Sequence, residues 1–257
     1  MTTEKATIRP ETESMLGPEE VHLWSVQVGR FPDSAHAPAH LAILSDSERD
    51  RRERFRIPAD RWMYGISHAL LRMVLAHYGT GPPESLKFSR GAHGKPALDG
   101  AGGSTDLEFN LTHTKGLAAV AVARGRPVGV DAEREDRPIG ELLASRIFSE
   151  QERRALHGKS PEDRLRRMAR LWTLKEAYVK ALGVGLTLSV ADMSFGITDE
   201  GPPRFEPASP VGHDPKRWCF FEASHLRPFV VSVAVDNPAG AAIMLRSFDG
   251  ETLLNSS

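Results

Sequence analysis

Trp172-Thr-Leu-Lys-Glu-Ala-Tyr-Val-Lys180 is the stretch on which the reading of the fold turns. It lies in a run opened by Ser160-Pro161 and closed by Gly183, an N-cap, a first-turn proline and a terminal glycine in the order a long helix needs. Along that run Leu165, Met168, Trp172 and Val179 recur at steps of three, four and seven, which gathers them into one apolar stripe. Glu176 falls where the stripe would be completed. A carboxylate among apolar neighbours is costly unless it is paired or bound to a cation. Two readings are open: an ion pair with Lys180 one turn on, or a metal ligand or general base facing a site between two halves of the chain. The stripe also predicts that Arg166 and Arg167, off the apolar face, point to solvent.

Upstream, Gly129-Val-Asp-Ala-Glu133 ends an apolar, strand-like run. Residues i and i+2 of a strand project from one face, so Asp131 and Glu133 stand side by side. They are either solvated carboxylates at a strand end or a pair relieved by a hard divalent cation, since oxygen-only ligands favour Mg²⁺, Mn²⁺ or Ca²⁺. Asp131, Glu133 and Glu176 together form an acidic triad. Candidate phosphate ligands surround it: Lys95 in a Gly-Lys-Pro turn, His113 at a strand end, and Lys175 and Lys180 flanking Glu176. Glu152 closes the capping box Ser149-Glu-Gln-Glu152, as Glu48 closes Ser45-Asp-Ser-Glu48.

Each half reads as helices followed by short strands. In the first, Val21–Val28 is a strand, Pro58 opens a helix that Gly79 closes, and strand-like runs occupy 107–112, 117–123 and 127–133. In the second, strands resume at 188–195, 218–223, 229–235 and 241–248. Phe109-Asn-Leu-Thr-His113 before one apolar strand is echoed by Phe221-Glu-Ala-Ser-His225 before another. These features suit an α+β fold of two similar subdomains, each a mainly antiparallel sheet packed with helices. The expected division is an N-terminal arm, 1–20, and subdomains 21–134 and 135–257.

The 257 residues carry a net charge of −1, which gives no sign of a nucleic-acid partner. Arginine is nonetheless concentrated at 49–61 and 164–170, as a solvated face or as a docking surface for an acidic partner. One cysteine, Cys219, excludes an internal disulfide. No stretch approaches the roughly 18 apolar residues of a membrane span, and the first twenty residues have no signal-peptide core. A cytoplasmic protein is expected.

Taken in order, Gly94-Lys-Pro96, Phe109-Asn-Leu-Thr-His-Thr114, Gly129-Val-Asp-Ala-Glu133, Phe148-Ser-Glu-Gln-Glu152 and Trp172–Lys180, followed by Ala-Leu-Gly-Val-Gly-Leu186, resemble the 4′-phosphopantetheinyl transferase superfamily, surfactin-synthetase-activator type. The resemblance covers roughly residues 40–200. It implies a monomer whose two subdomains are related by a pseudo-twofold, with coenzyme A between them. It implies transfer of phosphopantetheine from coenzyme A to a serine of an acidic apo carrier protein, with Mg²⁺, or Mn²⁺ in its place. Carried over by position, Asp131, Glu133 and Glu176 hold the metal. Arg51, Lys95 and His113 contact the nucleotide's phosphates, with Thr112 beside them where relatives commonly have Ser. Lys175 and Lys180 partner the pyrophosphate, and Glu152 or Glu176 is the base. The alternative is an idle relative that only binds carriers.

Overall fold

Every residue from Val21 to Val26 of the first strand is buried, on both faces. One sheet face covered by a helix and the other by a second sheet would do this, and the computed structural model has that arrangement. It describes residues 15–30, 37–91, 94–99, 106–185, 188–198, 201–207 and 214–255. Residues 1–14 of the expected arm and Leu186 of the quoted segment lie outside these.

The first half runs β1 (Glu20–Val26), α1 (Ala37–Ala42), α2 (Asp46–Glu53), α3 (Pro58–His77), β2 (Phe88–Arg90), β3 (Pro96–Leu98), β4 (Leu107–Thr114) and β5 (Leu117–Arg124). The second runs β6 (Val128–Arg134), α4 (Glu141–Ile147), α5 (Glu150–Leu156), α6 (Pro161–Leu182), β7 (Met193–Gly196), β8 (Arg204–Pro207), β9 (Trp218–Glu222) and β10 (Phe229–Asp236). The chain then adds β11 (Met244–Asp249) and α7 (Glu251–Leu254). Strand, long helix, hairpin, strand, strand is thus repeated, and the sheets have matching orders, β1-β5-β4 and β6-β10-β9. Pairing is antiparallel except that β11 joins the first sheet parallel to β1. Hydrogen-bonded pairing therefore crosses the expected 134/135 division twice: β6 opens the second sheet and β11 returns to the first.

Alternation along β5 shows the layering. Val120 and Val122 face α3, with Trp24, Ile66, Leu70 and Val74. Ala119 and Ala121 face the second sheet, with Leu23, Val130, Val231 and Val233. A third cluster, around Leu171, Leu174, Tyr178, Phe195 and Phe220, packs α6 on the far side of the second sheet.

The start and stop signals of α6 act as the sequence predicts. Ser160 Oγ accepts from the Asp163 amide, and Gly183 ends the helix at φ +68°. Its buried face is rotated from the expected stripe. Met168 and Val179 are buried, but the arc is centred on Leu171, Leu174, Lys175 and Tyr178, leaving Leu165, Trp172 and Glu176 half-buried at its margin. Contacts to β6 and β10 on one side and to the third cluster on the other widen the arc. The solvent-facing expectation needs correction for Arg167, whose side chain is only 11% exposed; Arg166, at 40%, keeps to the solvent side, and Asp163 accepts from both at 2.9 Å. No described helix is long and apolar enough to cross a membrane.

Candidate active site at the seam between the halves

β4 lies beside β6 without sharing a backbone ladder with it. Side chains of β4 at alternate positions make the connection. Asn110 Oδ1 accepts from the Val130 amide (2.9 Å), Thr112 Oγ1 donates to Asp131 (3.1 Å), and Thr114 Oγ1 donates to Glu133 (3.0 Å). Thr112 and Thr114 share a face for the same period-two reason as Asp131 and Glu133. Of these partners, Asn110 and Thr114 were not among the expected site residues.

Gly129 sets the approach of α6. A Cβ there would overlap the Ala177 carbonyl oxygen and the Ala181 amide, so only glycine lets the helix backbone lie this close to β6. The close approach brings Lys180 onto Asp131. Its Nζ donates to Asp131 Oδ1 at 2.6 Å, and also to Thr112 Oγ1 and the Val130 carbonyl, both at 3.2 Å. Glu176, one turn earlier, has no hydrogen-bond or ion-pair partner among the described residues. Burial and then the neighbouring charge of Asp131 raise its pKa, against the pull of Lys180. Asp131 is raised as well, chiefly by burial, with Lys180 and Thr112 opposing. Glu133, nearly buried, pairs with Arg137. Among the described residues no group of three or more His, Cys, Asp or Glu side chains is gathered as a metal cluster. The donor chemistry still fits a hard cation, since Asp131, Glu133 and Glu176 offer oxygen only.

Beside the seam, a groove of about 740 Å³ runs along the first half. Arg51, Arg54, Arg90, Tyr64, His68 and Leu111 are among the residues lining it. His113 is exposed near the end of β4, next in sequence to Thr112 of the seam. Crowding by protein lowers its pKa, and the nearby His68 and Lys180 lower it further. Lys95 is turned to the seam's other end. Its Nζ donates to the carbonyls of Val128 and Ala181, both at 3.3 Å, and burial lowers its pKa.

Glu152 and Lys175 are not brought to this site. Both side chains are fully buried, 2.6 Å apart. Glu152 accepts from the Ser149 and Phe195 amides, each at 2.8 Å, and Lys175 donates to the carbonyls of Ile147 and Val190. Burial lowers the Lys175 pKa, against the Glu152 charge that raises it.

Two family models match the chain. One, described as the 4′-phosphopantetheinyl transferase superfamily, covers residues 127–234. The other, described as 4′-phosphopantetheinyl transferase, N-terminal, covers residues 31–125. The 4′-phosphopantetheinyl transferase HetI of Nostoc sp. is 33% identical over 192 residues, 74% of this chain and 79% of its own length. A 4′-phosphopantetheinyl transferase of Bacillus subtilis is 29% identical over 199 residues, 77% and 84%. Among solved structures, the holo-[acyl-carrier-protein] synthase of Thermotoga maritima is 28% identical over 43% of this chain and 62% of its own. Its TM-score of 0.35 is too low to carry any argument about shape.

Proposed function

The chain belongs to the 4′-phosphopantetheinyl transferase superfamily, and we propose that it moves the phosphopantetheine arm of coenzyme A onto a serine hydroxyl of an apo carrier protein, releasing 3′,5′-ADP. The observation that carries this reading is the seam. There a glycine-enabled helix approach sets Glu176 and Lys180 over Asp131, beside a groove rich in arginine.

The serine oxygen attacks the β-phosphorus, and the bond from that phosphorus to the oxygen bridging it to the α-phosphorus breaks. Glu176 takes the serine proton on the oxygen not given to the cation; burial, which raises its pKa, favours that uptake. Glu152 is the weaker candidate, because amides and Lys175 already occupy its oxygens. Lys180 is a fixed positive end for charge developing on the phosphoryl oxygens. Asp131, Glu133 and Glu176 would hold Mg²⁺, or Mn²⁺ in its place, whose charge offsets that of the pyrophosphate. Arg51 and His113 face the nucleotide's phosphates, with Lys95 and Thr112 shaping the seam. We assign Lys175 to the fold rather than to the pyrophosphate. The carrier is read as an acidic domain drawn by the arginines of the early helices, and the enzyme as a cytoplasmic monomer.

Glu176→Gln, nearly isosteric, should abolish transfer, read as the mass shift of an apo carrier incubated with coenzyme A and Mg²⁺, while the melting temperature holds. Retention of more than about a tenth of the activity, roughly 1.4 kcal/mol of barrier, would remove Glu176 from the mechanism.

A further inference from the structure

His68 is held in a way that packing alone does not require. Its Nδ1 lies 3.1 Å from Glu48 Oε1, and its ring leans on Tyr64 at 4.1 Å between centroids. The other oxygen of Glu48 accepts from Arg72 Nε and from the Ser45 amide, both at 2.8 Å. Burial alone would raise the Glu48 pKa, but hydrogen bonds from His68, Arg72 and the Ser45 amide bring it down to about 2. The carboxylate is therefore ionised and can only accept, so His68 carries its proton on Nδ1. Nε2, across the ring, has no partner among the described residues. The side chain is 22% exposed and lines the groove with Arg51, Arg54 and Arg90.

The second half supplies an independent comparison. Pro58 opens α3 and Pro161 opens α6. The buried cations Arg72 and Lys175 stand at the same place along the two helices, each clasping a capping-box glutamate. One turn before the cation, α6 has Leu171, 2% exposed in the core. α3 has His68 at that place. The clasp works without a histidine in one half, so the histidine of the other is available for a different task.

We infer that His68 is a phosphate-binding residue of the coenzyme A groove, oriented by Glu48, and that it takes the 3′-phosphate of the adenosine end. This rests on the transferase reading above, which puts the pyrophosphate at the seam and leaves the far end of the nucleotide for the groove. The 3′-phosphate is the one monoester in coenzyme A. Its oxygens can accept from an N–H at Nε2, and when the phosphate itself carries a proton it can donate to Nε2, so the contact can be made from either side.

The test is titration of coenzyme A and of 3′-dephospho-coenzyme A into wild-type protein, His68→Gln and His68→Asn by calorimetry, with thermal melts as the check on folding. One charge-assisted hydrogen bond is worth enough to change Kd about tenfold. His68→Gln should weaken coenzyme A by about that factor and leave 3′-dephospho-coenzyme A within about twofold. Glu48→Gln should give a smaller loss of the same selectivity. If both nucleotides weaken equally, or neither does, in folded His68→Gln and His68→Asn, the assignment is overturned. If the wild-type protein binds neither nucleotide, it is the transferase reading itself that fails.

Discussion

The two halves carry the same buried clasp in different states of closure. In each, a capping box ends on a glutamate, and a cation from the long helix seizes it: Arg72 on Glu48 at 2.8 Å, Lys175 on Glu152 at 2.6 Å. Each cation also donates to two carbonyls, those of Pro83 and Leu86 in the first half and of Ile147 and Val190 in the second. The difference is the glutamate's remaining oxygen. Glu152 Oε1 is closed by the Phe195 amide, so the second clasp is sealed. Glu48 Oε1 is spent on His68, whose ring opens on the groove. A structural device copied into both halves is thus a pure fastening in one and the root of a ligand contact in the other.

Breaking the sealed clasp should cost most. Lys175→Met strands a buried carboxylate, and loss of one partner of such a pair costs about 3–5 kcal/mol. Urea unfolding should show it, and adding Glu152→Gln should recover at least half. Arg72→Met should cost less, about 2 kcal/mol, because the Glu48 side chain is 11% exposed whereas Glu152 is fully buried. Equal losses in the two halves would erase the distinction.

Acid should reach the open clasp next. The folded-state pKa of Glu48 lies below its ordinary value of 4.5, at about 2. Its contribution is therefore present above about pH 4.5 and is lost as pH falls towards 2, an amount on the order of 3 kcal/mol. Unfolding free energies of wild type and Glu48→Gln should differ most near neutrality and converge in that window. Curves that stay parallel from pH 6 to pH 2 would contradict the ionised clasp.

Gly129→Ala tests the second half where helix and strand touch. Overpacking of this kind costs about 1–3 kcal/mol. Activity should fall further than stability, because α6 must move off β6 and part Lys180 from Asp131. Carrier loading measured beside a thermal melt separates the two. The smallest effects belong to the caps. Ser45→Ala and Ser149→Ala should each cost about 1 kcal/mol, with Ser149 the larger because Ser194 also donates to it at 2.7 Å. Melting temperatures in the reverse order would show the first clasp to be the tighter.

Local features of the chain were legible because their causes are local. Both capping boxes, the proline openings and the glycine close of α6 follow from backbone groups within one turn. The pairing of Asp131 with Glu133 on one face follows from strand period alone. What was not legible depends on neighbours far along the chain. Lys175, at a core position, reads as polar, so the stripe of α6 was drawn through Glu176 instead. Only the carboxylate of Glu152 makes a buried lysine tolerable. Thr112 and Thr114 repeat the spacing of Asp131 and Glu133, but their reach depends on β4 lying beside β6. His68 sits in an apolar helix, and nothing adjacent in sequence marks it; Glu48 comes to it from another helix.

The return of β11 to the first sheet bears on how the chain is made. Glu20 pairs with Met244 and Ser25 with Asp249, so the outer edge of β1 is covered only by a strand that follows every other described strand in sequence. Loop closure over that span is slow to be rewarded. An uncovered apolar strand is an invitation to pair with another molecule. The second sheet closes over a shorter span, since β6, β9 and β10 all lie within residues 128–236. Leu254 is fully buried in the first-half core, and Gly250 packs against Leu70. β11 and α7 are therefore the latch of the first half, and a chain cut after β10 would have its second sheet complete and the outer edge of β1 open.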